Sequence, residues 1–187
     1  MTGSKALNGW NYWRIARWAA AAALLLTPLI MMQISDEWRW EFGSFILAGV
    51  LIGGVGVLYE LAEKATGNRA YRAGAAIALI VSLLTVWTAI VRDDGNGMDF
   101  FMLIMAAVVG GFAAWFGPAG MSRTMSGVAI MQLLVGMAIA TGPSTENTPG
   151  ASSKALIFSG FFAALWVTSA ILFRSAAKGN RTVTPSH

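Results

Sequence analysis

The sequence contains no cysteine, and its single histidine, His187, is the last of 187 residues. Without a thiol, the chain has no disulfide bond, no cysteine nucleophile and no thiolate ligand for zinc or an iron–sulfur cluster. One terminal histidine leaves no candidate for histidine-bound zinc, histidine-ligated haem or a Ser-His-Asp triad. We therefore expect no metal site, no cofactor, no catalytic residue and no enzymatic activity.

Charge is also scarce. Charged residues make up 12% of the sequence, about half of the roughly 25% that is usual in soluble domains. Hydrophobic residues make up 56%, and the mean hydropathy is +0.61. The formal net charge is +4, but no compact basic patch with interleaved aromatic residues accompanies it, so we expect no nucleic-acid partner. This composition predicts a membrane protein.

Six apolar runs, separated by short polar segments, have lengths that approach the roughly 20 residues needed by a membrane-spanning helix. They predict an all-α integral membrane protein whose bundle covers residues 18–173. A basic and aromatic interfacial segment, 1–17, precedes the bundle, and a polar cytoplasmic tail, 174–187, follows it. The predicted spans are about 18–33, 42–60, 73–91, 100–116, 126–140 and 155–173.

The first run could instead be a secretory signal, because basic residues precede a hydrophobic core. However, no small-x-small cleavage pattern follows at Met31 to Ile34, and the run is long for a signal core. We therefore predict an uncleaved first span.

The loops differ in charge. If the N-terminus is cytoplasmic, most lysines and arginines fall on cytoplasmic segments and most acids on outer segments, as the positive-inside rule requires. This predicts three hairpins with both termini in the cytoplasm. The hairpins could be repeats, because the pattern of Gly110 to Ala114 returns at Gly160 to Ala164.

The second run, Phe42 to Glu60, contains five glycines. Gly49 and Gly53 are four residues apart, and Gly56 follows about one turn later on the same side. Such spacing exposes bare backbone along one helix face, which allows a neighbouring helix to approach closely. We predict that Gly49, Gly53 and Gly56 form a helix-packing strip.

Few polar residues lie within the predicted spans, and none of those in span interiors is ionisable. Gln132 is the most polar residue near mid-membrane, where an amide commonly bonds to a neighbouring helix. A solute pathway could be lined by Ser82, Thr85, Thr88 and Gln132, although hydroxyls serve helix packing equally well.

Glu60 closes the second run. It is a candidate carboxylate for a proton or cation site at the cytoplasmic end. Alternatively, it is an interfacial acid paired with Lys64 at position i+4.

The segment from Phe45 to Arg72, which includes Tyr59-Glu60-Leu61-Ala62 and Gly67-Asn68-Arg69-Ala70-Tyr71-Arg72, resembles a group of small uncharacterised inner-membrane proteins of proteobacteria. The segment GFFAALW, Gly160 to Trp166, is similar to the last helix of that group. The resemblance implies a multi-pass protein of the bacterial inner membrane and brings no known activity or functional residue.

These sequence features are consistent with two functional hypotheses of different class. The first is a non-enzymatic accessory, assembly or interaction component of a membrane complex, whose partners are the lipid bilayer and another membrane protein or a second copy of the chain. The alternative is a transporter or channel for a small neutral or weakly polar solute. A filled core with a smooth apolar outer groove favours the first function, and a continuous polar cavity among spans three to five favours the second.

Overall fold

The computed structural model describes residues 4–34, 42–92, 97–146 and 149–181; most of these residues are helical, and none of them forms a strand. Five helices are long and apolar enough to cross a membrane, and α4 is a shorter apolar helix. The prediction of an all-helical protein with several helices long and apolar enough to span a membrane is confirmed for the described residues. The helices are α1 (Ser4–Ile34), α2 (Phe42–Ala65), α3 (Arg69–Arg92), α4 (Gly97–Ala113), α5 (Pro118–Ala140), the short α6 (Pro143–Glu146) and α7 (Ala151–Arg181).

The helices extend beyond most of the predicted spans. α1 takes in most of the segment expected to be interfacial, α5 begins at Pro118 instead of 126, and α7 continues to Arg181 within the expected tail. The reason is that hydropathy marks the part of a helix that fits the hydrocarbon layer. The backbone stays helical through flanking polar and basic residues, whose long side chains reach the interface.

α4 ends earlier than expected, at Ala113 instead of 116. Trp115 and Phe116 adopt positive φ angles of 46° and 53°, and Pro118 stands at the start of α5. Proline disfavours the helical conformation in the residue before it and fits well in a first helical turn. The Gly117-Pro118 pair therefore separates α4 from α5, and the two aromatic residues form the turn.

The described chain divides into two units, 1–58 and 59–187. The N-terminal unit contains α1 and most of α2, and many of its large apolar side chains are exposed, as lipid-facing residues are in a membrane helix. Within this unit the Trp18 indole lies beside the α2 backbone. A Cβ added to Gly56 would come within 3.1 Å of the Trp18 ring.

In the C-terminal unit, α5 and α7 form the main pair, α3 packs on α7, and α4 packs on α5 and α3. α5 and α7 approach closely at Gly136, where an added Cβ would overlap the Ser159 side chain. The core between these helices includes the fully buried residues Val81, Leu103, Val128, Trp166 and Phe173.

Hydrogen bonds between helices add to this packing. Ser169 Oγ donates to the Gly74 carbonyl over 2.8 Å, and Ser122 Oγ donates to the Ala170 carbonyl over 2.8 Å. The first bond joins α7 to α3, and the second joins α5 to α7. These side-chain bonds fix the register of three helices, because each carbonyl belongs to one backbone position.

Candidate functional site

Two of the hydroxyls expected to line a pathway are engaged within their own helix. Ser82 Oγ donates to the Ala78 carbonyl over 2.8 Å, and Thr88 Oγ1 donates to the Leu84 carbonyl over 2.7 Å. This is the ordinary bond of a hydroxyl to the preceding helical turn. Each hydroxyl proton is therefore directed along α3.

The other two predicted lining residues lie inside the core. The exposed fraction is 1% for Thr85 and 0% for Gln132. Neither the Thr85 hydroxyl nor either polar atom of the Gln132 amide has a hydrogen-bond partner in the described part of the chain, and the same holds for Trp166 Nε1. A buried polar group without a partner destabilises the fold. Thus α3, α5 and α7 each place one residue with such a polar group in the interior of the C-terminal unit.

At the opposite end of α3, Glu63 forms an ion pair with Arg72 and links the last turns of α2 to the first turns of α3. Asn68 Oδ1 accepts hydrogen bonds from the backbone amides of Ala70 and Tyr71, at 2.9 and 3.2 Å. Neither role was expected from the sequence. Asparagine directly before a helix is an N-cap signal that could have identified the second.

Glu60, the predicted carboxylate, is half-buried on α2 one turn before Lys64. Its assignment to a proton or cation site stays a prediction.

The three glycines of the predicted packing strip have different surroundings. Gly56 faces Trp18, as described above. A Cβ added to Gly49 or Gly53 would meet no atom within 4 Å among the described residues of the N-terminal unit. The predicted packing role of Gly49 and Gly53 is therefore not tested within this unit.

The sequence did not anticipate a basic cavity of about 660 Å³ between the start of α5 and the end of α7. Three basic side chains line it, those of Arg123, Arg174 and Lys178. Arg174 and Lys178 are one turn apart on α7, but Arg123 lies about 50 residues earlier, on α5. The sequence therefore indicated only the side of the membrane for these residues, and not a shared cavity. The remaining lining residues are Ala119, Ser122, Ser126, Gly127, Ile130 and Ala177.

In the described ranges, no cluster of three or more histidine or acidic side chains has the arrangement of a metal site. Comparison with protein families, curated proteins and solved structures gives no match to this chain.

Proposed function

We propose that this chain is a non-enzymatic, multi-pass protein of the bacterial inner membrane that acts as an interaction component of a membrane complex. Its partner would be another membrane protein or a second copy of the chain. In this proposal the chain crosses the bilayer six times, in three hairpins with both termini in the cytoplasm.

One observation carries the proposal: Gly49 and Gly53 lack the close helix contacts that several glycines of the C-terminal unit make. In the C-terminal unit, Cβ atoms added to Gly74, Gly110 or Gly136 would meet neighbouring helices at 3.4 Å or less. At Gly49 and Gly53, the same addition meets no described atom of the N-terminal unit. Glycines spaced by four residues favour close helix association in membranes. The face of α2 that carries them is suited to a helix from a partner.

The six-span topology is supported by helix length and loop charge. α4 has 17 residues, or about 25 Å at 1.5 Å per residue, which nearly matches the hydrocarbon thickness of about 30 Å. The turn at 114–117 adds some length at one end. With α4 counted as a span, the loops have the charge asymmetry that orients helices during insertion.

The alternative, a transporter or channel, receives less support. The residues proposed to line a pathway either donate to their own helix, as Ser82 and Thr88 do, or are enclosed, as Thr85 and Gln132 are. Residues that line an aqueous pathway need exposed polar atoms.

The test is affinity purification from native membranes, in gentle detergent and at native expression level, followed by mass spectrometry. We expect a partner, or a second copy of the chain, in stoichiometric amount. Gly53→Ile should abolish the association, because the branched side chain would hold the two helices apart. It should leave the stability of the purified chain unchanged, because no described atom of its own unit lies in the way.

Gly54→Ile is the matched control. Gly54 is the next residue on α2, its added Cβ also meets no atom within 4 Å, and it faces about 100° around the helix from Gly53. This variant should retain the partner. Equal loss in both variants, or a wild-type chain that purifies alone, would contradict the proposal and direct attention to solute uptake in liposomes.

A further inference from the structure

The basic cavity between α5 and α7 concentrates positive charge. Arg123 comes from the second turn of α5, and Arg174 and Lys178 come from the last turns of α7. No acidic residue is among those that line the cavity, and these three cations form no ion pair with an acid in the described part of the chain. Three like charges around one cavity repel one another, so a bound anion would stabilise the arrangement.

Helix polarity does not account for this cluster. Cations near a helix C-terminus are favourable, which explains Lys178 on α7. Arg123 lies near an N-terminus, where the helix dipole is already positive and a cation is unfavourable. Gly117 precedes α5 and provides no side-chain acceptor for its first amides. The start of α5 therefore adds to the positive potential of the cavity.

The hydroxyls of the cavity do not replace the cations as donors. Ser122 Oγ donates to the Ala170 carbonyl, and Ser126 Oγ donates to the Ser122 carbonyl over 2.9 Å. Arginine and lysine side chains are thus the main donors, and they form their strongest hydrogen bonds with phosphate and carboxylate oxygens.

The cavity is apolar on the side away from these cations. Gly127 and Ile130 follow Arg123 along α5 by about one and two turns. A Cβ added to Gly127 would meet no atom within 4 Å, and Ile130 is exposed. This leaves an open apolar surface on α5 beside the basic cluster. A ligand with an anionic head and a hydrocarbon tail matches both parts.

We propose that this cavity binds an anionic phospholipid, with the phosphate held by Arg123, Arg174 and Lys178 and the start of an acyl chain lying over Gly127. The proposal goes beyond an interaction function and does not depend on it, because the site lies wholly within the C-terminal unit. Basic cavities between membrane helices are suited to such headgroups.

The experiment measures binding to the purified full-length chain in detergent, by native mass spectrometry and by thermal unfolding. The probes are phosphatidylglycerol, zwitterionic phosphatidylcholine and soluble glycerol 3-phosphate. We expect phosphatidylglycerol to bind and to raise the melting temperature. We expect the other two probes to have much weaker effects. Equal effects of both lipids would contradict the proposal that the site selects an anionic headgroup. An equal effect of glycerol 3-phosphate would contradict the proposal that the bound phosphate belongs to a lipid.

Variants locate the binding. Removing one arginine, as in Arg123→Gln or Arg174→Gln, should weaken phosphatidylglycerol binding about fivefold, and the double variant should weaken it roughly 25-fold. Arg174→Lys should retain most of the affinity, because it keeps the charge. Arg69→Gln is the matched control, since Arg69 is an exposed residue that does not line the cavity. Equal affinity in Arg69→Gln and the double variant would contradict the assignment.

The apolar part of the site has its own test. Gly127→Leu should reduce phosphatidylglycerol binding without lowering the melting temperature in the absence of lipid, because the added side chain projects into open space and leucine favours a helix more than glycine does. Undiminished lipid binding by this variant would show that no acyl chain lies over Gly127.

Discussion

Gly136 in the C-terminal unit has different surroundings from Gly49 and Gly53 in the N-terminal unit. In the C-terminal unit, glycine and serine permit α3, α5 and α7 to approach until backbone and side chain touch, as at Gly136 and Ser159. In the N-terminal unit, Gly49 and Gly53 lie on a similarly apolar helix without a close neighbour in that unit. Composition alone does not distinguish the two cases. A glycine in a membrane helix indicates where close packing can occur, and only the neighbouring helix determines whether it does.

The largest expected difference concerns buried aromatic residues. Trp166 on α7 is 0% exposed, whereas Trp18 on α1 is 42% exposed. Trp166→Ala should lower the free energy of unfolding by about 3–5 kcal/mol, because it leaves a large cavity in the core. Trp18→Ala should cost less. Unfolding in a graded denaturant series in detergent measures the free energy of unfolding of both variants. A larger loss for Trp18→Ala than for Trp166→Ala would contradict this prediction.

Glycine substitutions should give the next largest effect. Gly136→Ala should cost about 1–3 kcal/mol through overpacking against Ser159. Gly53→Ala meets no described atom of its unit and should instead raise the free energy of unfolding by up to about 1 kcal/mol, because alanine favours a helix more than glycine does. The pair Gly136→Ala with Ser159→Gly should recover much of the loss, since the overlapping atoms are removed. Failure of this rescue in the same unfolding assay would mean that Ser159 is not the source of the strain.

Replacing a buried amide should have an effect of the opposite sign. Gln132→Met keeps the length of the side chain and removes polar atoms that have no hydrogen-bond partner among the described residues. It should raise the free energy of unfolding by about 1 kcal/mol. Gln33→Met, at an exposed position of α1, is the control and should stay within about 0.5 kcal/mol of wild type. A strong loss of stability in Gln132→Met would show that the amide is paired.

The smallest difference is expected for single hydroxyls. Ser169→Ala removes the bond from α7 to the Gly74 carbonyl and should cost about 0.6 kcal/mol. Thr27 Oγ1 instead donates to Ala23, in the same helix, over 2.9 Å. Thr27→Val should therefore have little effect on unfolding. A comparable loss in both variants would indicate that the bond between helices adds nothing beyond a local one.

Many features of the fold could be predicted from single segments. The apolar runs locate the long helices, and Gly117-Pro118 marks the break between α4 and α5. The predicted positions of the helix ends were less accurate. For example, α5 begins at Pro118, whereas the predicted span began at 126. Hydropathy averages over a window, whereas the actual end depends on individual residues, here on a proline at the first helical position.

Some residues of the candidate sites could be identified from the sequence, and others could not. The sequence drew attention to Gln132 as the most polar mid-membrane residue, and the structure places it in the interior of the C-terminal unit. It did not indicate that Arg123 would share a cavity with Arg174 and Lys178, or that Glu63 would pair with Arg72. Each of these associations joins separate helices, and local sequence patterns contain no information about which helices become neighbours.

The apolar runs of the sequence were enough to predict long helices able to span a membrane, because a chain in lipid must satisfy its backbone hydrogen bonds within helices. The absence of cysteine was enough to exclude thiol chemistry. The three-dimensional structure was needed to show which small residues are closely packed, which polar groups are buried and which basic side chains lie together. Those outcomes depend on the pairing and register of the helices, which are set by contacts between residues far apart in the chain.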